Sequence, residues 1–207
     1  ACGLVNRKGP RLIGGKTTEF NEYPWVVALL YKGHYFCAGT LINEKYVLTA
    51  AHCIRGVNTT KMKALLGEHV RSFPLETNTV YYDVVYTVYH HLFNPASFNN
   101  DIGLVKLSPK VPFKWYSRPA CLPMPKLDYV GELGVVAGWG KNHEEGEIAD
   151  SLQEILVPVF SNEVCKTKLA YKKDEITKNM ILRRDTRMDA ETLAHVSQQL
   201  IYIYIYI

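Results

Sequence analysis

The sequence predicts an all-β fold, either a barrel or a sandwich. From Pro24 onward, short runs of β-branched and aromatic residues recur at close spacing, and turn residues such as Lys32-Gly33 separate them. Short strands at this spacing are typical of closed or double-layered antiparallel architectures. The chain has 207 residues, of which 47% are apolar and 21% charged, a globular composition with enough length to bury a sizeable core.

Eight runs are predicted to be strands, and one short helix follows the last of them. The runs are 25–31, 35–42, 46–50, 63–67, 80–89, 102–107, 134–139 and 155–160. Ser161 is a suitable N-cap for a helix through Cys165, with Glu163 in its first turn. Leu193, Val196 and Leu200 form only a weak helical stripe.

Charge, hydropathy and cysteine spacing exclude several classes of protein. The net charge is +4, but basic and acidic residues are interspersed, so we expect no nucleic-acid partner. No apolar stretch approaches the roughly 20 residues that span a bilayer, so we expect no membrane partner. The five cysteines include no C-x-x-C pair, and wide spacing favours disulfides in an oxidising compartment.

The chain begins at Ala1 without Met, so we expect a mature or partial chain. The one sequon, at Asn58, adds slight support for secretion.

Three motifs, in this order, carry a family resemblance. They are Arg11-Leu12-Ile13-Gly14-Gly15, Thr49-Ala50-Ala51-His52-Cys53 and Asn99-Asn100-Asp101-Ile102-Gly103-Leu104. Together with Pro24-Trp25, the 37–42 strand, Pro119-Ala120-Cys121-Leu122-Pro123 and Gly138-Trp139-Gly140, they resemble the trypsin-like serine endopeptidases from Cys2 to about Ile181. The resemblance implies two six-stranded antiparallel β-barrels, a secreted zymogen, and protein or peptide substrates.

The resemblance also implies roles for individual residues. His52 matches the general base of a Ser-His-Asp triad, and Asp101 matches the carboxylate that orients the histidine. The other six histidines lie in no motif. Arg11-Leu12 matches the bond that an activating trypsin-like protease cuts, although Leu12 departs mildly from the usual branched residue. No cofactor and no metal are implied.

The cysteines follow the same family pattern with one left over. The resemblance pairs Cys37 with Cys53 around His52, and Cys2 with Cys121. Cys165 is expected to remain a free thiol or to form intermolecular disulfides, because its family partner would follow Ile181 and no later cysteine exists. Glu68 and Glu76 lie where some relatives bind calcium, but two carboxylates in a hydrophilic loop are more often solvated, and calcium requires six to eight oxygens.

The family's nucleophile motif, Gly-Asp-Ser-Gly-Gly, does not occur in these 207 residues. Beyond residue 160 the serines are Ser161, at a strand-to-helix turn, and Ser197, with no glycine near it; neither suits an oxyanion hole. We therefore predict a trypsin-like domain without catalytic activity. The alternatives are a non-catalytic homologue that binds a partner through its first barrel, and a non-functional product of faulty splicing or gene modelling.

The predicted organisation has five parts. They are an activation leader (1–11), a first barrel (12–110), a proline-rich connector (111–126), a partial second barrel (127–181) and a non-family tail (182–207). The tail ends in alternating Ile and Tyr, which an alternating A/T dinucleotide repeat would encode. We therefore hypothesise read-through or a frameshift after Ile181; a real but divergent tail is the alternative.

Overall fold

The structure is a computed structural model that describes residues 1–7, 16–73, 78–125, 127, 129–140, 147–168, 176–180 and 182–183. The described residues form ten strands and two short α-helices, so the all-β prediction is confirmed. The elements are β1 (Lys16–Thr17), β2 (Val26–Tyr31), β3 (His34–Leu41), β4 (Tyr46–Thr49), α1 (Ala51–Ile54), β5 (Met62–Leu66), β6 (Val80–Tyr89), β7 (Gly103–Ser108), β8 (Leu133–Gly138), β9 (Gln153–Phe160), α2 (Asn162–Lys168) and β10 (Leu182–Arg183). A 3₁₀ turn covers Thr59–Lys61.

All eight predicted strands form, as β2 to β9, and the predicted helix forms as α2. The Ser161 hydroxyl accepts a hydrogen bond from the Val164 N–H at 3.2 Å, as expected of an N-cap. The sequence patterns did not predict α1, β1 or β10, each of four residues or fewer. Elements this short are set by their tertiary surroundings rather than by periodicity.

The first six long strands close into a barrel in the order β2-β3-β4-β7-β6-β5. In β6 the inward residues Tyr82 and Val84 are buried, while their neighbours Tyr81 and Asp83 are exposed, as alternation requires. Bulges at Phe36 in β3 and at Val85 in β6 locally increase the strand curvature that closure needs. The closed barrel leaves no free strand edge around the core that supports α1.

The second sheet is built around β9. This strand pairs antiparallel with β8 along its length, and with the two-residue strands β1 and β10. Among the described residues this sheet has four strands and does not close. Leu182 pairs with Phe160, so the backbone directly after Ile181 lies in this sheet. The predicted domain boundary at Ile181 stays a prediction.

Hydrogen bonds at His69 and Arg71 join the barrel to the second sheet. The His69 carbonyl accepts hydrogen bonds from the Leu152 N–H at 2.8 Å and from the indole N–H of Trp139 at 3.0 Å. Beside them, the Arg71 N–H donates to the Asp150 carbonyl at 3.0 Å. Trp139 and His69 are both buried, so the bond between them lies inside the interface, whereas Asp150 is exposed at its margin.

The predicted connector runs between the two sheets without a helix or strand among its described residues. It crosses the barrel, where the Ala120 N–H donates to the Leu41 carbonyl at 2.9 Å. The start of the chain lies along it, because the Gly3 N–H donates to the Pro119 carbonyl at 2.8 Å. In the described part of the chain, no helix is long and apolar enough to cross a membrane.

Candidate active site

His52 lies in α1, the single helical turn that follows β4. Its neighbour Cys53 is disulfide-bonded to Cys37 in β3, with a Cα–Cα distance of 6.1 Å. Ala51, Cys53 and Ile54 are buried, which leaves His52 as the one residue of α1 that reaches solvent. The turn has no side-chain cap, so the disulfide and the buried neighbours hold it in place.

Asp101 lies two residues before β7 and faces His52 across 49 positions of sequence. Its Oδ2 accepts a hydrogen bond from the His52 Nδ1 at 2.6 Å, and its Oδ1 accepts one from the His52 backbone N–H at 2.8 Å. The Asp101 side chain is 3% exposed and that of His52 is 25% exposed. Because the buried carboxylate is an acceptor, it holds the histidine proton on Nδ1 and leaves the Nε2 lone pair free to take a proton.

The loop before Asp101 is held by the segment 176–180. Thr177 Oγ1 donates to Asn99 Oδ1 at 2.8 Å, and Asn179 Nδ2 donates to the side-chain oxygens of Asn99 and Asn100 at 3.0 and 2.9 Å. Asn100 has a φ of 57°, a left-handed conformation that asparagine tolerates better than most residues. The Asn99-Asn100 pair before Asp101 was visible in the sequence, but nothing there identified Thr177 or Asn179 as its partners.

Phe98 forms one side of the site. Its ring meets the His52 ring edge-on at a centroid distance of 5.6 Å, from a left-handed backbone position with φ 52°. Aromatic edge contacts of this kind restrict the orientation of a ring. The site therefore holds an oriented imidazole between a buried carboxylate and an aromatic ring.

A nucleophile is the part of the expected triad that the described residues do not supply. No described serine hydroxyl hydrogen-bonds to the His52 ring, and Ser161 is occupied as the cap of α2. Ser197 lies outside the described residues. The pair His52–Asp101 is arranged for proton transfer. Among the described residues, no serine hydroxyl is placed to give its proton to His52.

The same region does not fit a metal ion. The side-chain donors of Cys37, His52 and Cys53 lie within 4.8 Å of one another, but the two sulfurs are bonded to each other and cannot act as thiolate ligands. Glu68, considered above for calcium, is buried, and one of its oxygens accepts a hydrogen bond from the His69 N–H at 3.2 Å. Glu76 lies outside the described residues.

The other predicted site residues have these positions. Cys2 and Cys121 are disulfide-bonded, with a Cα–Cα distance of 5.0 Å. Cys165 is a buried free thiol in α2, and burial raises its pKa. Asn58 is exposed, and its side chain accepts hydrogen bonds from the N–H and hydroxyl of Thr60. Arg11 and Leu12 lie outside the described residues.

Comparison with known proteins gives the family. The model of the family described as "Trypsin" matches residues 12–191. The chain belongs to the trypsin family. It is also 36% identical over 175 residues to "Serine protease filzig" of Drosophila melanogaster, which covers 80% of this chain and 10% of that protein. The chain therefore spans about a tenth of the length of this relative.

Membership of the trypsin family accounts for the architecture. The closed six-stranded barrel and the second sheet built on β9 are consistent with the two-barrel fold of this family. The family match continues to residue 191, past the boundary that we expected at Ile181.

Proposed function

We propose that this chain is a trypsin-like serine endopeptidase domain by descent that does not itself hydrolyse peptide bonds. One observation carries the proposal: the His52–Asp101 pair is oriented for general-base catalysis, yet the 207 residues contain no Gly-Asp-Ser-Gly-Gly motif. The cysteine that the family pattern places a few residues beyond Ile181 is also absent, since no cysteine follows Cys165 in the sequence.

The expected loss of activity is large because several contributions disappear together. Removing the serine of a triad costs roughly 10⁶-fold in kcat in a well-studied serine protease. In the family, the segment with the serine also provides the oxyanion-hole amides, the specificity pocket and the aspartate that receives the new N-terminus. The residual catalysis that an oxyanion hole supports in triad mutants would therefore be lost as well.

We further propose that the chain is secreted and of zymogen type. The two disulfides and the exposed sequon at Asn58 support a secretory, oxidising environment. An activating trypsin-like protease would cut after Arg11, and Cys2–Cys121 would keep the leader attached. Protein or peptide chains are the substrate class that family membership supports.

A covalent probe and a substrate assay test the inactivity. The purified chain, before and after cleavage with immobilised trypsin, is treated with a fluorophosphonate probe, which labels activated serines. The same samples are assayed with Arg, Lys, Phe and Leu peptide substrates. We expect neither labelling nor turnover. Turnover that requires the cut and is abolished by His52→Ala would refute the proposal. Equal turnover in the unchanged chain and in the His52→Ala variant would identify a contaminating protease.

A second candidate, a non-catalytic binding role, is favoured by the outer face of the barrel. Tyr81 and Tyr86 in β6 are each 56% exposed, and Val85, Val88 and Tyr89 beside them are exposed as well. Exposed apolar patches on folded domains often mark protein interfaces. A binding role requires Tyr81 and Tyr86 but not His52. With a candidate partner, a double Tyr→Ser variant at both positions should therefore lose binding, while His52→Ala retains it.

A further inference from the structure

A buried cluster of charged groups connects the leader to both halves of the domain. Glu22 and Tyr23 lie just before β2, and Glu154 lies in β9 of the second sheet. Glu22 is fully buried, and Glu154 is 6% exposed. Arg7, from the leader, reaches into the space between the two carboxylates, and its own side chain is only 9% exposed.

The guanidinium of Arg7 is held along one edge. Its Nε donates to Glu22 Oε1, and its Nη2 donates to Glu154 Oε1 at 2.5 Å. The phenol of Tyr23 donates to the other oxygen of Glu154. Burial and this hydrogen bond raise the pKa of Tyr23, so the phenol keeps its proton and donates to the carboxylate. Glu22 Oε2 accepts from the Glu19 N–H at 2.8 Å.

The charges balance only when Arg7 is in place. Among the described residues, Lys16 is the other cation near these carboxylates, with its Nζ 3.5 Å from Glu154 Oε1 and a partly exposed side chain. Without Arg7, the Lys16 ammonium would remain as the cation beside Glu154, and the fully buried Glu22 carboxylate would lose its cation among the described residues. Removing one partner of a buried ion pair is strongly destabilising, because a buried charge is left uncompensated.

We propose that Glu22, Tyr23 and Glu154 form a guanidinium-binding site, and that Arg7 of the leader is its resident ligand. The site holds the leader on the domain independently of the Cys2–Cys121 disulfide. A planar fork can bond both carboxylates at once, whereas an ammonium is a point charge, so the site selects guanidinium over ammonium.

Chemical rescue of an arginine-deleted chain tests this site. The full chain, Arg7→Ala and the control Arg55→Ala, which removes an exposed arginine, are unfolded in urea with both disulfides intact. We expect Arg7→Ala to lower the folding equilibrium constant by at least about a hundredfold, and Arg55→Ala to leave it almost unchanged. Millimolar methylguanidinium should raise the unfolding midpoint of Arg7→Ala alone, and methylammonium should not.

Three results would overturn the proposal. They are an Arg7→Ala chain as stable as Arg55→Ala, equal rescue by methylammonium and methylguanidinium, and no rescue by either cation. If Arg7→Ala yields no folded protein, the double variant with Glu22→Gln decides, because it removes the fully buried carboxylate and leaves Glu154 beside Lys16. We expect the double variant to fold at neutral pH; a double variant that remains unfolded also refutes the site.

Discussion

Replacing Gly103 by alanine should displace α1, the helical turn that contains His52. Gly103 begins β7, two residues after Asp101. A Cβ added there would lie 2.5 Å from Ile54 Cδ1, 3.0 Å from the Val88 carbonyl oxygen and 3.3 Å from Tyr89 Cβ. Ile54 is 2% exposed and belongs to the same helical turn as His52. The Ile54 side chain therefore has little room to retreat, and α1 must absorb part of the movement.

The two opposing contributions give the expected size of the effect. Overpacking a well-filled core costs about 1–3 kcal/mol. A Gly→Ala change in a backbone conformation that alanine accepts stabilises by about 0.4–1 kcal/mol through the unfolded state. We therefore expect Gly103→Ala to lower the free energy of unfolding by about 1–2 kcal/mol. Gly138→Ala is the matched control, because its Cβ would meet no atom within 4 Å, and it should be neutral or slightly stabilising.

Urea unfolding followed by tryptophan fluorescence measures these changes, since Trp25 is buried in the barrel core. Ile54→Val removes the atom nearest to the added Cβ and alone should cost about 0.5–1.5 kcal/mol. Combined with Gly103→Ala, it should cost less than the sum of the single changes by about 0.5 kcal/mol or more. Additive effects, or a Gly103→Ala chain as stable as Gly138→Ala, would show that this contact does not limit the packing.

Three further outcomes are expected. Burial raises the pKa of Tyr35 to about 12, so the folded state keeps a proton that the unfolded state loses near pH 10; stability should be full below pH 10 and fall by about 2–3 kcal/mol as the pH rises to 12. Tyr35→Phe should flatten that part of the pH profile of urea unfolding, and an unchanged profile would refute the assignment. Non-reducing peptide mapping should link Cys37 to Cys53, whose loss should cost about 3 kcal/mol of stability; a link from either to Cys165 would contradict the pairing. The Cys165 thiol should react with a disulfide reagent slowly in the folded chain and rapidly in urea, and equally fast reaction in both would show that it is not buried.

The strands and the histidine were predictable because each is encoded locally. In β6, a run of ten residues rich in Val and Tyr is enough to assign a strand. The residues around His52 form a motif whose members are adjacent in sequence, as do those around Asp101. Such motifs can be recognised without knowing which residues contact them in the folded chain.

Long-range pairings were not predictable because no single segment contains them. Arg7 meets Glu154 across 147 positions, and Thr177 meets Asn99 across 78. An arginine in a polar leader has the same local pattern whether it is solvated or buried. The antiparallel register that places Lys16 opposite Glu154 brings β1 against β9, and the same glutamate accepts a hydrogen bond from Arg7 of the leader.

The first barrel explains how a His–Asp pair can persist in a chain without the family's nucleophile motif. The constraints on His52 come from the Cys37–Cys53 disulfide, from both oxygens of Asp101 and from the close packing of Gly103 against Ile54. All of these groups belong to the barrel or its connecting turns, and the barrel closes without the second sheet. Barrel closure therefore preserves these contacts to the imidazole whether or not a serine is present, and the segment 176–180 adds support to the loop before Asp101. The geometry of the pair alone is for this reason a poor indicator of activity, and the decisive measurement is the search for an activated serine.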